Sequence, residues 1–418
     1  MMIWLVIFNA VMIIVFLAAF SYRLVYIMIR MFGKDPVYEE EKLHRYAVMI
    51  SARNEEMVIG HLIDSIKAQD YPSDLIDIYV VADNCTDTTA EVSRQHGATV
   101  YERFNQQELG KGYALAFLIK HFNEEFPERK YDGYFIFDAD NLLSTNYITE
   151  MNKVFSSGVN IVTGYRNAKN LSDNWVSAAY GIFFMYESEH ANRVRDRLGS
   201  SCFVSGTGYL FSDRLLQKYG GWKWFKICED LEFTVEMLQD GERIAYCHNA
   251  VLYDEQPTSF EDSIFQRTRW LKGNVAAIKE YWSGVVGRIG KKGGFACYDF
   301  LMNMSPLLIW QFAVSINLIG MIYALIMQYN VTGFLIFYGI ILAITYLTMY
   351  MMGFSVFLTE KDRIHCPKGK RVLYSFTFPL FLFSFVIVLF LVFFGKTEWR
   401  PIKHDKAIDI HDLEQEQL

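Results

Sequence analysis

Charged side chains are spread so unevenly along these 418 residues that no single globular unit can hold the whole chain. None occurs from Met1 to Tyr22, from Phe300 to Thr359, or from Val372 to Gly395. A helix of about 20 apolar residues spans a hydrocarbon core about 30 Å thick, so these runs are expected to be membrane helices. The stretch from about Lys34 to Lys292 instead alternates polar and apolar residues, as a globular domain of about 260 residues with a sizeable core would. The mean hydropathy of +0.11 therefore averages two unlike parts. A net charge of -7 and a pI near 5.8 argue against nucleic acid as a partner, because phosphate binding needs a basic face. Cys85, Cys202, Cys228, Cys247, Cys297 and Cys366 form no C-x-x-C pair, which fits packing residues in a reducing compartment.

Flanking charge sets the expected topology. Arg23, Arg30 and Lys34 follow the first apolar run rather than precede it, so residues 1–31 read as a retained anchor and residues 32–292 as a cytoplasmic domain. Arg288, Lys291 and Lys292 agree. The membrane region is expected over residues 293–395, with helices near 300–327, 333–359 and 372–395, the first two divided at Gln328 to Gly333. Lys361, Arg363, Lys368, Lys370 and Arg371 place the next loop in the cytoplasm. The last run creates a conflict, because a full crossing would put Lys396, Arg400, Lys403 and Lys406 outside. Either Pro379 breaks it so that it re-enters, or Tyr298 to Trp310 lies in the interface, or the charge rule fails here; a cytoplasmic tail over 396–418 is the preferred reading. Asn330-Val-Thr332 matches a glycosylation acceptor but hugs the membrane.

Within the globular part, Tyr46–Ser51, Asp77–Ala82, Thr99–Tyr101 and Tyr134–Phe137 read as buried strands. Helices are expected from Asn54-Glu-Glu56 to Tyr71-Pro72, over Thr86–Gln95 and over Gly112–Phe122. Repeated βα units predict a doubly wound α/β sheet, with ligands bound beyond the carboxyl ends of its strands. Asp83 follows the second strand and Asp138-Ala-Asp140 the fourth. Two carboxylates one residue apart offer hard oxygen donors to Mg²⁺ or Mn²⁺, although an isolated pair of this kind also occurs as a solvated turn. Glu229-Asp230 follows the aromatic stretch Trp222-Lys-Trp224-Phe225, and Gln266, Arg269 and Trp270 follow about 35 residues later.

The ordered set Ala52-Arg-Asn-Glu-Glu56, Asp83, Asp138-Ala-Asp140, Ser205-Gly-Thr-Gly208, Glu229-Asp230 and Gln266-x-x-Arg269-Trp270 resembles the family 2 membrane glycosyltransferases, which include cellulose, hyaluronan, chitin and poly-N-acetylglucosamine synthases. The resemblance implies a GT-A domain with a mostly parallel sheet and inverting transfer from a nucleoside diphosphate sugar, usually a UDP-sugar. It assigns the donor to Ala52, Arg53, Glu55, Asp83, Lys111 and Asp138, a divalent metal to Asp138 and Asp140, and the catalytic base to Asp230. It places acceptor and diphosphate contacts at Gly206, Thr207, Glu229, Gln266, Arg269 and Trp270. Cys228 departs from the threonine that many relatives carry before the acidic pair. The segment Thr397-Glu-Trp-Arg400-Pro-Ile-Lys-His404 resembles a basic tail that packs near the active site in several polysaccharide synthases.

Physical chemistry gives those residue types their reasons. A leaving diphosphate gains negative charge that a cation and the bidentate donors of Arg269 stabilise. An inverting base stands opposite the leaving group, and burial or a neighbour such as Glu229 raises its basicity. As a helix N-terminus, Glu229-Asp230 is equally explained by the helix dipole. Trp270 and Trp224 could stack on pyranose faces, and for an isolated tryptophan the core is the commoner place. Gly206-Thr-Gly208 lacks the third glycine of a dinucleotide fingerprint, and Gly110-Lys-Gly112 fails the P-loop pattern, leaving Lys111 as a donor-phosphate contact or a solvated turn. His248 is a further metal ligand or, more simply, a structural histidine.

Three functions fit. The first is a processive synthase that extends a β-linked cell-surface polysaccharide from a cytoplasmic UDP-sugar and exports it through the plasma membrane. So few membrane segments would call for a second copy or an accessory export subunit. The second is a single-transfer enzyme acting on a polyprenyl phosphate or glycolipid. The third is a non-catalytic sugar-nucleotide sensor. A coupled transporter is disfavoured by the uncharged membrane segments.

Overall fold

The computed structural model describes residues 2–38, 42–327, 332–364, 366–395, 404 and 406–415. Residues 328–331 of the expected break at Gln328 to Gly333, with most of the glycosylation acceptor, and the basic residues Lys396, Arg400 and Lys403 lie outside the described residues. The chain begins with helices α1 (Met2–Phe20) and α2 (Tyr22–Phe32). The strands then follow as β1 (Tyr46–Ala52), β2 (Ile76–Asp83), β3 (Thr99–Arg103), β4 (Gly133–Asp138), β5 (Leu142–Leu143), β6 (Ile161–Ala168), β7 (Tyr209–Ser212) and β8 (Ile244–Asp254). Between them run α3 (Ile59–Lys67), α4 (Thr89–Gln95), α5 (Lys111–Glu125), α6 (Tyr147–Ser156), α7 (Trp175–Tyr186), α8 (Arg193–Arg197), α9 (Asp213–Lys218) and α10 (Glu229–Asp240). After β8 come α11 (Phe260–Ile289), α12 (Phe295–Met304), α13 (Pro306–Ile326), α14 (Thr332–Thr359), α15 (Lys368–Phe383), α16 (Phe385–Phe394) and α17 (Ile410–Gln415).

The eight strands form one sheet in the order β3-β2-β1-β4-β7-β6-β8-β5. Pairs β1–β2, β1–β4, β2–β3 and β6–β8 are parallel, whereas β7 and β5 run antiparallel to their neighbours. This is the mostly parallel GT-A arrangement. Alternate residues face opposite sides: Tyr46, Val48 and Ile50 pack with Leu62, Ile63 and Met151 on one face, while Ala47 and Met49 pack with Leu115, Leu118 and Phe122 on the other. Both faces are covered, which is why the strands read as unbroken apolar runs. The order β3-β2-β1-β4 reverses direction at β1, so a crevice opens between the ends of β1 and β4, where Ser51 pairs with Asp138.

Several boundaries differ from the sequence reading. Asn54 adopts φ 57, a left-handed conformation that no helix interior uses, so α3 begins at Ile59 rather than at Asn54. The apolar run from Phe300 is divided already at Ser305, because Pro306 opens a new helix at its first turn. Pro379 does not end its helix; α15 continues to Phe383, and Arg267 Nη1 donates at 3.0 Å to the carbonyl of Phe381 near that end.

Ile7–Phe32, Leu335–Thr359 and Lys368–Phe394 are long and apolar enough to cross a membrane. The third is nevertheless held to the sheet domain at both ends: Lys370 Nζ donates to Ser172 O at 2.9 Å, and Lys272 Nζ to Gly395 O at 3.1 Å. The sheet's own core extends into this region through Val356, Phe357, Tyr374, Phe378 and Phe381.

A buried ion pair fastens the sheet domain to the first helices. Arg195 in α8 donates at 2.6 Å to Asp299 in α12; both side chains are fully buried, and Tyr22 and Tyr26 of α2 donate to the same carboxylate at 2.7 and 2.8 Å. Removing one partner strands a buried charge. Asp299→Asn is therefore expected to destabilise the detergent-solubilised protein by about 3–5 kcal/mol, read as a lower thermal midpoint. An unchanged midpoint would show that the node carries no stability.

Candidate active site

Strand register brings the acidic residues of the crevice together. β1 delivers Ala52 and the half-buried Arg53. β2 delivers the buried Asp83, which lies opposite Arg103 of β3 in the parallel register. Arg103 Nη1 donates to Asp83 Oδ1 at 2.7 Å, and Asn84, left-handed at φ 53, donates to the same oxygen at 3.1 Å. β4 delivers Asp138 and the turn holding Asp140. The Asp138 amide is shared between Thr207 Oγ1 at 2.9 Å and Asn141 Oδ1 at 3.1 Å, which ties this turn to the glycine loop.

Lys111, the first residue of α5, sits at the centre. Its ammonium donates to Asp138 Oδ1 at 2.5 Å and to Gly206 O at 2.7 Å, and lies 4.0 Å from Glu229 Oε1. Burial works against its charge, but Asp138 and Glu229 outweigh that and raise its pKa. Gly206 and Gly208 take φ values of 83 and 66, which only glycine adopts freely, and a side chain at Gly206 would stand 3.6 Å from Asp230 Oδ2. The loop thus brings bare backbone up to Asp230.

Glu229 and Asp230 open α10, as the dipole reading also expects. Burial, opposed by Lys111 and reinforced by Asp230, pushes Glu229 up to about 8. Asp230 is raised as well, again first by burial, while the Leu231 amide and Lys111 pull it back. The pair therefore retains a proton near neutrality, chiefly on Glu229. Asp140 goes the other way: His404, Lys169 and Arg166 and the Glu255 amide overcome burial and hold its carboxyl below the usual range. It stays ionised, a state suited to a hard cation. Among the described residues, no group of three or more His, Cys, Asp or Glu side chains is arranged to enclose a metal, so further ligands would have to come from substrate and water.

On α11, Gln266 Oε1 is buried without a hydrogen-bond partner among the described residues. The charge of Arg269 acts on Tyr180 and Cys228. Trp270 stands edge-on to Tyr180 and Phe184, at 5.9 and 6.0 Å between centroids, so its ring is engaged in an aromatic cluster. Cys228 lies against Gly273, where a side chain would meet its sulfur. Trp224 is a core residue, its Nε1 donating to Glu236 at 2.7 Å, so it offers no sugar platform. His248 is structural: it accepts from Arg363 at 3.1 Å, lies 3.4 Å from Glu189, and burial pulls it down to about 3.

Three residues around the crevice escaped the sequence reading, and a fourth, His404, was named there only as the end of the tail segment. Arg103 is found only through strand register. Arg166 in β6 donates to Asp254 at 2.7 Å and to Ser205 O at 2.8 Å, beneath the glycine loop, and Lys169 lies 3.7 Å from Glu255. His404 lies 3.0 Å from Glu55, and Asp140 and Glu55 overcome its burial to push it up to about 10. The segment beyond it is anchored by Lys406 on Asp173 at 2.7 Å and by Ile410 and Leu413 in the main core.

These features coincide with a known family. Residues 44–273, more than half of the chain, match the model of the glycosyltransferase-like family 2. The chain belongs to that family and is a glycosyltransferase. A probable glycosyltransferase of Bacillus subtilis, YdaM, is 22% identical across 77% of this chain and 74% of its own. A beta-monoglucosyldiacylglycerol synthase of Nostoc is 24% identical across 65% of this chain and 59% of its own, under two thirds of that enzyme. The mannosyltransferase PcManGT of Pyrobaculum calidifontis, solved with GDP-Man and Mn²⁺, superposes with a TM-score of 0.62 over 93% of this chain and 99% of that one at 16% identity. That likeness establishes the shared fold.

The Glu229 shift has a sign that can be checked. Its folded pKa lies above the ordinary carboxylate value, so between about 4.5 and 8 the folded state binds more protons than the unfolded one and stability falls as pH rises. Below that window the penalty vanishes. Glu229→Gln is expected to flatten this decline, melting several degrees above the parent at pH 8 in the absence of donor and equal to it at pH 4. Parallel pH–melting curves would refute the assignment.

Proposed function

We propose that this glycosyltransferase is a membrane-bound inverting enzyme that moves one sugar from a UDP-sugar to a hydroxyl of a lipid acceptor at the cytoplasmic face of the bilayer. The carrying observation is that Asp230, its pKa raised, stands beside bare glycine backbone in a crevice whose domain shares its core with α14 and α15. An acceptor rooted in the bilayer reaches such a base without leaving the membrane. The Nostoc relative named as a glycolipid synthase points the same way. The trapping of Trp270 in an aromatic cluster argues against a free stacking platform for a growing glycan.

In this reading Asp83 accepts from the base of the nucleotide on the oxygen that Arg103 and Asn84 leave open, and Ala52, Arg53 and Glu55 flank it. Asp138 and Asp140 would hold Mg²⁺ or Mn²⁺, which supplies charge stabilisation to the leaving diphosphate. Lys111 and Arg269 add donors to the same phosphates. Glu229, protonated, keeps the net negative charge low where the diphosphate must enter. Asp230 takes the acceptor proton as its oxygen attacks the anomeric carbon, while Gly206 and Thr207 shape the acceptor side and Gln266 turns a buried amide toward it. The contacts of His404, Lys406, Ile410 and Leu413 with the sheet domain support a tail on the same side as that domain, with Lys368–Phe394 lying along the membrane surface. The plasma membrane is the expected location.

A second reading, processive polysaccharide synthesis with export through a second copy or an accessory subunit, draws on Gln266, Arg269 and Trp270 sharing one helical face. Product analysis separates the two. Full-length protein in nanodiscs, given radiolabelled UDP-sugars and Mg²⁺ or Mn²⁺, is expected to yield label that extracts with organic solvent; label in the void volume of a sizing column would establish the polymer reading. Asp230→Asn is expected to slow transfer about 10²–10⁴-fold, and full activity would overturn its role as base.

A further inference from the structure

The second half of α11 has no part in the scheme above and presents a face left open among the described residues. Its inner side is occupied: Ala277 and Val285 pack with Val235 and Leu238 of α10 and with Phe300 of α12. Trp282 and Val286 turn away from that cluster and are 54% and 41% exposed. Lys279 is exposed one turn before Trp282 on the same side, because residues three and four apart share a helix face. Beyond the helix end the chain turns through Gly290 to Gly294, where Lys291 and Lys292 are exposed. The ammonium groups of Lys279, Lys291 and Lys292 make no hydrogen bond or ion pair among the described residues. The carboxylate beside Lys279 in sequence, Glu280, is already paired with Lys226, and Arg288 turns inward against Gly241.

Contacts fix the height of this turn. Phe295, 40% exposed, opens α12 directly after it, and its ring lies 5.7 Å from that of Tyr22. Tyr298 lies 5.6 Å from the same ring and donates to the carbonyl of Ala19 at 2.6 Å. Tyr22 closes the first charge-free run, and Arg23 is the first charge of the chain. Aromatic rings gather where a helix leaves the hydrocarbon, so these three mark a membrane boundary one residue from the basic turn. The face also runs on through α12 into the charge-free stretch from Phe300, which brings a bilayer to it before any soluble partner. Free ammonium groups beside exposed apolar side chains at that height match a leaflet whose head groups carry negative charge.

We infer that this patch docks α11 onto a leaflet of anionic phospholipid, with Trp282, Val286 and Phe295 entering the interface and Lys279, Lys291 and Lys292 pairing with head-group phosphates. This rests on the membrane placement proposed above and adds to it the charge of the leaflet and the segment that reads it. Long lysine stems suit the task, because they lie along apolar surface while the charge stays at the head groups.

The test places the full-length protein in nanodiscs of phosphatidylcholine alone or of an equal mixture with phosphatidylglycerol, and follows amide hydrogen exchange at residues 290–294. Exchange is expected to be about tenfold slower in the mixture at low salt, and the difference to fade at high ionic strength. The double variant Lys291→Gln, Lys292→Gln should exchange alike in both lipids while keeping the parent's thermal midpoint. Trp282→Ser should exchange faster than the parent in both. Equal rates for the parent in the two lipids overturn the proposal, and so does a difference that survives in the double variant. A parent that inserts into neither nanodisc and does not float with vesicles of either composition overturns the membrane placement itself, and this proposal with it.

Discussion

The crevice depends on one ammonium group. Lys111 binds Asp138 and the Gly206 carbonyl and approaches Glu229, so a single side chain links the end of β4, the glycine loop and the start of α10. Without it, Asp138, Glu229 and Asp230 would face one another in a place where burial makes each charge costly. The consequence reaches past local stability. By holding the glycine loop to the β4 turn, Lys111 sets the distance between the ionised side of the crevice, around Asp140, and its raised-pKa side, around Glu229 and Asp230.

These two sides illustrate how one sheet end supports opposite acid–base behaviour. Asp140 is surrounded by His404, Lys169 and Arg166 and stays ionised. Glu229 is pushed up to about 8, first by burial and then by Asp230, against the opposing charge of Lys111. Environment thus moves the pKa values of chemically similar groups in opposite directions within one crevice. The buried Arg195–Asp299 pair performs a mechanical counterpart at the other boundary, holding α2 and α12 against α8.

Much of the site was legible because the motif residues sit where backbone periodicity alone puts them. The strands ending at Ala52, Asp83 and Asp138 could be read from apolar runs followed by acids, and the parallel pairing aligns their ends. Helix boundaries were less legible where one backbone conformation overrode the pattern, as at Asn54, or where a proline opened a new helix at Pro306. Arg103, Arg166 and Lys169 could not be read in advance. Each acquires its place from register or from packing between elements far apart in the chain. His404 lay in a segment noted for its likeness to other tails, yet its approach to Glu55 joins residues at opposite ends of the molecule.

By itself, the sequence determined that part of the chain is apolar along whole helices, that a mostly parallel α/β domain lies between such parts, and that its carboxylates fall at strand ends. Those are properties of composition and of period, and they are local. Only the tertiary structure decided which carboxylates keep protons, that Trp224 belongs to the core and Trp270 to an aromatic cluster, and that both ends of Lys368–Phe394 are held to the sheet domain. The physical reason is that protonation, stacking and anchoring depend on which distant groups are buried together, and burial is a property of the packed chain rather than of any window within it.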